Sequence, residues 1–73
     1  MLKELDTVVL NVDLPDHGLH RGDLGTVVLV HDEQGYEVEF MTLDGETIAV
    51  VSLSTDQIRG IGRREIAHAR PVS

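Results

Sequence analysis

The chain has 73 residues, no cysteine, and thirteen acidic against six basic side chains, for a formal net charge of −7. This length allows one small domain, which buries only roughly 60% of its unfolded surface, and no disulfide or thiolate metal site can staple it. Stability must come from apolar packing, sheet closure or self-association, and the negative field works against phosphate backbones.

Leu5 to Val12 reads as a first strand with a β-branched centre at Thr7, Val8 and Val9. The next stretch, to Gly22, is rich in Asp, Gly and Pro and reads as a loop. Gly18 ends its Pro-Asp-His turn, while Gly22 and Gly25 let the chain bend into a second strand, Gly25 to Val30. His31 to Gly35 forms a turn. Tyr36 to Phe40 then alternates cleanly, with Tyr36, Val38 and Phe40 on one face and Glu37 and Glu39 on the other. Asp44-Gly45 between two apolar runs predicts a tight hairpin with positive φ at both residues. Thr47 to Leu53 is a fourth strand. Ser54 to Gln57 suits one turn of 3₁₀ helix capped by Ser54 or Thr55, and Ile58 to Ile61 returns as a short fifth strand.

These elements predict an all-β fold: a small, five-stranded SH3-like barrel over residues 1–61, with a 3₁₀ turn before the last strand. Residues 62–73 form a separate basic tail. Its helix formers from Arg63 to Ala69, stopped by Pro71, allow a helix that would be marginal alone, the alternatives being a disordered tail or one docked on an acidic barrel. Charge divides three residues before that boundary. Up to Ile58, Lys3 and Arg21 face twelve acids and leave −10; from Arg59 onward four arginines face Glu65 alone and leave +3. The tail is thus suited to dock on an acidic body, its own or a neighbour's. The opening residues mix charges into the apolar run, unlike a signal peptide, and no apolar stretch nears the ~20 residues of a membrane span. The expectation is a cytoplasmic protein, in keeping with the absence of cysteine.

Gly22-x-x-Gly25-Thr-Val resembles the glycine corner of KOW-type barrels, which bind nucleic acid. Those binders surround the corner with Lys and Arg, whereas Arg21 here is flanked by Asp13, Asp16 and Asp23. The two aromatics, Tyr36 and Phe40, sit on the core face rather than forming a base-stacking platform. Nucleic-acid binding is disfavoured. A longer pattern is more specific: Asp6-x-Val-x-Leu, Asp13-Leu-Pro, Gly18-Leu, Arg21-Gly-Asp-Leu-Gly-Thr-Val-Val, Tyr36-Glu-Val-Glu-Phe, Asp44-Gly and Leu53-x-x-Asp56-Gln-Ile. In that order, over about residues 3–61, these resemble the short bacterial family known as domain of unknown function 4926. The resemblance implies a compact SH3-like β-barrel, no established activity, cofactor or catalytic residue, and a companion protein.

Catalytic patterns are sparse. Asp16-His17-x-x-His20, with Asp23 three residues beyond, has zinc-ligand residue types, but Asp and His are also ordinary turn residues and no second pair stands elsewhere. Ser52, Ser54 and Ser73 lie in no nucleophile setting, and Glu37 and Glu39 on a solvated strand face lack the burial that raises an acid's pKa. Arg21-Gly22-Asp23 matches an adhesion tripeptide only by its three letters. The expectation is a non-enzyme without metal or cofactor. The leading functional reading is a protein-interaction module, such as an antitoxin or immunity-like partner of a basic protein, using Asp13, Asp16, Asp23, Glu37 and Glu39. The alternatives are a self-assembling homo-oligomer, paired through edge strands, and a KOW-like module whose tail arginines contact phosphate.

Overall fold

The computed structural model describes residues 2–32 and 34–72. Five antiparallel strands, β1 (Thr7–Leu10), β2 (Leu24–Asp32), β3 (Gly35–Met41), β4 (Thr47–Ser54) and β5 (Ile58–Gly60), form one sheet in the order β4-β3-β2-β1-β5. Consecutive strands from β1 to β4 pair as neighbours, and β5 returns to the free side of β1, where Val8 faces Gly60 and Leu10 faces Ile58. β4 and β5 are the two edges. No helix among the described residues is long and apolar enough to cross a membrane.

The alternation in β3 sets the inside of the sheet. Tyr36, Val38 and Phe40 are buried, and they join Val8 and Leu10 of β1, Val27 of β2, Leu53 of β4 and Ile58 of β5 in one cluster. Because both edge strands contribute to that cluster, the sheet bends around its concave face. Leu19, from the loop after β1, plugs the same core at 3% exposure. No buried polar side chain interrupts the core among the described residues.

Gly25 explains part of the glycine corner. It lies on the inward side of β2, opposite Val8, and a Cβ there would meet Val38 Cγ1 at 2.6 Å and Phe40 Cε1 at 2.8 Å. The core side chains of β3 use the space that a larger residue would fill. Gly18 and Gly22 instead have φ of 69° and 97°, so they turn the chain as expected.

Four local expectations are corrected. β1 starts at Thr7 rather than Leu5, because the left-handed φ of 74° at Leu5 interrupts the extended backbone there, although its N–H still bonds to the Val27 carbonyl at 2.7 Å. The hairpin after β3 is not a two-residue turn with positive φ at both Asp44 and Gly45. Gly45 alone is left-handed, with its N–H bonded to the Thr42 carbonyl at 3.0 Å, and Thr42 N–H bonded to the Glu46 carbonyl at 2.8 Å. This is a three-residue loop with the glycine after the turn, anchored by Thr42 Oγ1, which accepts from Glu46 N–H and donates to Asp44.

The 3₁₀ helix lies in the first loop, at Pro15–His17, where Pro15 presets φ and Gly18 closes the turn. Residues 54–57 make a single turn instead, from Gln57 N–H to the Ser54 carbonyl at 3.1 Å, with Ser54 Oγ donating to Asp56 at 2.5 Å. The tail, lastly, has no helix. Glu65 is committed to Arg59 and to Gly62 N–H, and the few apolar residues beyond it could not stabilise so short a helix.

Candidate partner-binding surfaces

The three acids of the first loop have different surroundings. Leu14 and Leu19 form an isolated bridge across the loop, which fixes its base and sends Leu19 into the core. Asp13 Oδ1 accepts the Arg21 N–H at 2.8 Å, and Asp23 Oδ2 accepts the His20 N–H at 2.8 Å. Asp13 and Asp23 therefore hold the loop's shape as well as carrying charge. Asp16, in the 3₁₀ turn, is exposed.

Asp23 has a further partner that sequence reasoning did not identify. Arg70 reaches back from the tail and grips it with two charge-assisted hydrogen bonds, Nε–Oδ1 at 2.8 Å and Nη2–Oδ2 at 2.6 Å, while Nη2 also reaches the Gly18 carbonyl at 3.0 Å. Burial pushes the Asp23 carboxyl up, but the hydrogen bonds from Arg70 and the His20 amide outweigh it and hold the group below its ordinary value. The tail thus docks on its own body. Its start is fixed by a second bidentate pair, Arg59 with Glu65 at 2.8 and 2.7 Å; these hydrogen bonds and that of Gly62 N–H hold the Glu65 carboxyl at about 2. The opposite charges of tail and body were visible in the sequence, but not the choice of Asp23.

Glu37 and Glu39 occupy the outer face of β3. Glu37 faces Leu29 and Ser52 on its neighbouring strands, and Glu39 faces Thr26 and Val50. Glu37 Oε2 accepts from Ser52 and lies 2.5 Å from His31 Nε2; the Ser52 hydrogen bond, then His31, lowers its pKa. Glu39 Oε2 accepts from Thr47 Oγ1 at 2.6 Å. Around these carboxylates the sheet exposes apolar side chains, including Leu29 at 45%, Met41 at 46% and Val50 at 53%. The outer face is therefore a mixed acidic and apolar surface, assembled from β2, β3 and β4.

Among the described residues, no group of three or more His, Asp or Glu side chains is arranged to hold a metal ion, and Asp16, His17 and His20 do not converge into one. The Ser52 hydroxyl donates to Glu37 and not to His31, so these three side chains do not form a chain that would activate the serine. Arg59 of β5 and Arg70 of the tail are both engaged with carboxylates.

Neither the curated proteins nor the solved structures contain a match to this chain. A family model does match, over residues 4–60, which takes in all five strands and leaves out the tail beyond Gly60. On that match the chain belongs to the family described as Domain of unknown function (DUF4926).

Proposed function

We propose that this protein is a small protein-interaction module, an SH3-like barrel of bacterial origin acting in the cytoplasm, whose outer sheet face binds a basic partner. The observation that carries this reading is the juxtaposition of Glu37 and Glu39 with exposed Leu29, Met41 and Val50 on three adjacent strands. Such a surface combines desolvatable apolar area with fixed negative charge, the first contributing affinity and the second encounter rate and selectivity. An antitoxin or immunity-like role, with carboxylates standing where a nuclease would take phosphate, fits this chemistry. Asp13, Asp16 and Asp23 add to the negative field, although Asp23 is already neutralised by Arg70.

The test is affinity capture of the tagged full chain from its native lysate at low and high salt, repeated with Glu37→Lys/Glu39→Lys and with Val50→Ser. A basic partner lost at high salt and lost from the double charge variant supports the reading. Capture of the same partner at the same level by all three chains would sink it.

A second reading, a self-assembling homo-oligomer, has one observation in its favour. β4 is an edge strand of eight residues, Thr47–Ser54, without a charged side chain to discourage pairing. Light scattering over a concentration series tests it; a dimer abolished by Val50→Lys supports assembly through β4, and a monomer throughout rejects it.

A further inference from the structure

The tail and the body enclose a half-open groove of about 530 Å³ at the end of the sheet nearest the first loop. Its body side is formed by Leu19, Leu24, Phe40, Met41, Leu43 and Ile48, with Asp23 as the charged group, and residues 67–72 form its other side. Three observations concern what belongs there. The tail passes along it without helix or strand, and among the described residues Arg70 supplies every side-chain hydrogen bond between residues 66–72 and the body. With Arg70 in place the receiving carboxylate's side chain is 17% exposed, and it lies at the end of an apolar wall. The body side of the groove comes from the family-matched residues, whereas the tail lies outside them. The groove thus belongs to the domain, and its cover does not.

We propose that this groove recognises an extended, arginine-bearing peptide segment of a partner protein, and that the chain's own tail is a tethered occupant which that segment displaces. Asp23 and the Gly18 carbonyl take the guanidinium as a fork, and the apolar wall takes the flanking side chains of a segment larger than Pro71 and Val72, which border the groove but stay exposed. Volume left open beside the tail allows a bulkier segment than Ala67–Val72 to fit. This surface meets the outer sheet face at Met41, which borders both, while its charged anchor, Asp23, lies outside the strands that carry Glu37 and Glu39.

The probe is a fluorescein-labelled, end-capped peptide with the sequence of residues 66–72, IAHARPV, read by fluorescence anisotropy against the full-length chain and full-length Arg70→Ala. A short tether presents the tail at an effective concentration on the order of 1 mM, so removing its anchor should raise the apparent peptide affinity on the order of tenfold. Replacing the peptide's arginine with alanine should lose that gain, as should Asp23→Asn placed in the Arg70→Ala chain. Asn keeps an oxygen for the His20 amide, and far-UV circular dichroism verifies the sheet in each variant. Absence of peptide binding to a folded Arg70→Ala chain would overturn the proposal, as would binding indifferent to the peptide's arginine. A concentration-dependent dimer that Arg70→Ala abolishes would also overturn it, by assigning the groove to the tail of a second copy.

Discussion

Replacing Gly25 with alanine adds one methyl group at the most closely packed point of the sheet. The new Cβ would lie 2.6 Å from Val38 Cγ1, 2.8 Å from Phe40 Cε1 and 3.1 Å from the Glu39 carbonyl oxygen. Val38 is 0% and Phe40 2% exposed, so neither can swing into solvent, and the carbonyl belongs to the strand paired with β2. Overpacking a filled core costs about 1–3 kcal/mol, and with both struck side chains confined the upper part of that range, about 2–3 kcal/mol, is expected. A chain of this length has a total stability of roughly 4–11 kcal/mol. The expected fall in Tm is roughly 8–24 °C, at 4–8 °C for each kcal/mol. Urea and thermal unfolding followed by far-UV circular dichroism measure it. The double variant Gly25→Ala/Val38→Ala supplies the specific check, because it removes the methyl that the new Cβ strikes. Its cost should be smaller than the sum of the single costs by about 1–2 kcal/mol. A Gly25→Ala chain within about 0.5 kcal/mol of the parent, or fully additive costs, would refute the packing argument.

Two more outcomes follow from the backbone and the tail. Leu5 is left-handed at φ 74° and 79% exposed, so Leu5→Gly relieves strain while losing little packing; chemical denaturation should show a gain of about 0.5–1 kcal/mol. Asp23 and Glu65 both have folded-state pKa values below their ordinary ones, Glu65 moving from 4.5 to about 2, so their contributions are complete above the unfolded values and are lost on acidification. The tail amides of residues 62–72 should therefore move to random-coil shifts in ¹H–¹⁵N spectra between about pH 4.5 and 2, ahead of the sheet amides. Loss of both sets together would reject a separately held tail.

The sequence alone determined that five strands follow one another in this order and, for β3, which face is buried, because those properties are local. Tyr36-Glu37-Val38-Glu39-Phe40 declares its inside and outside through the pleat, whatever the neighbouring strands do. The same alternation placed Glu37 and Glu39 on the solvent side, and the pattern from Asp6 to Ile58 carried the family. Leu5 and Asp44 were harder to read, since a single φ depends on how a turn is bonded into the sheet: a leucine there argued for strand, and Asp-Gly for a shorter loop. Ser54 offered a helix cap, yet its side chain and carbonyl are used in one polar turn. Only the tertiary structure decided that Gly25 serves core packing, because the conflict arises with side chains of another strand. The tail is the clearest case. Its composition favoured a helix and its charge favoured docking, but Arg70 could choose among many carboxylates. Asp23, 47 residues away, is the carboxylate that the fold brings to Arg70 beside an apolar wall, and the bidentate pair they form, with side chains 26% and 17% exposed, is screened less by water than it would be on the open surface.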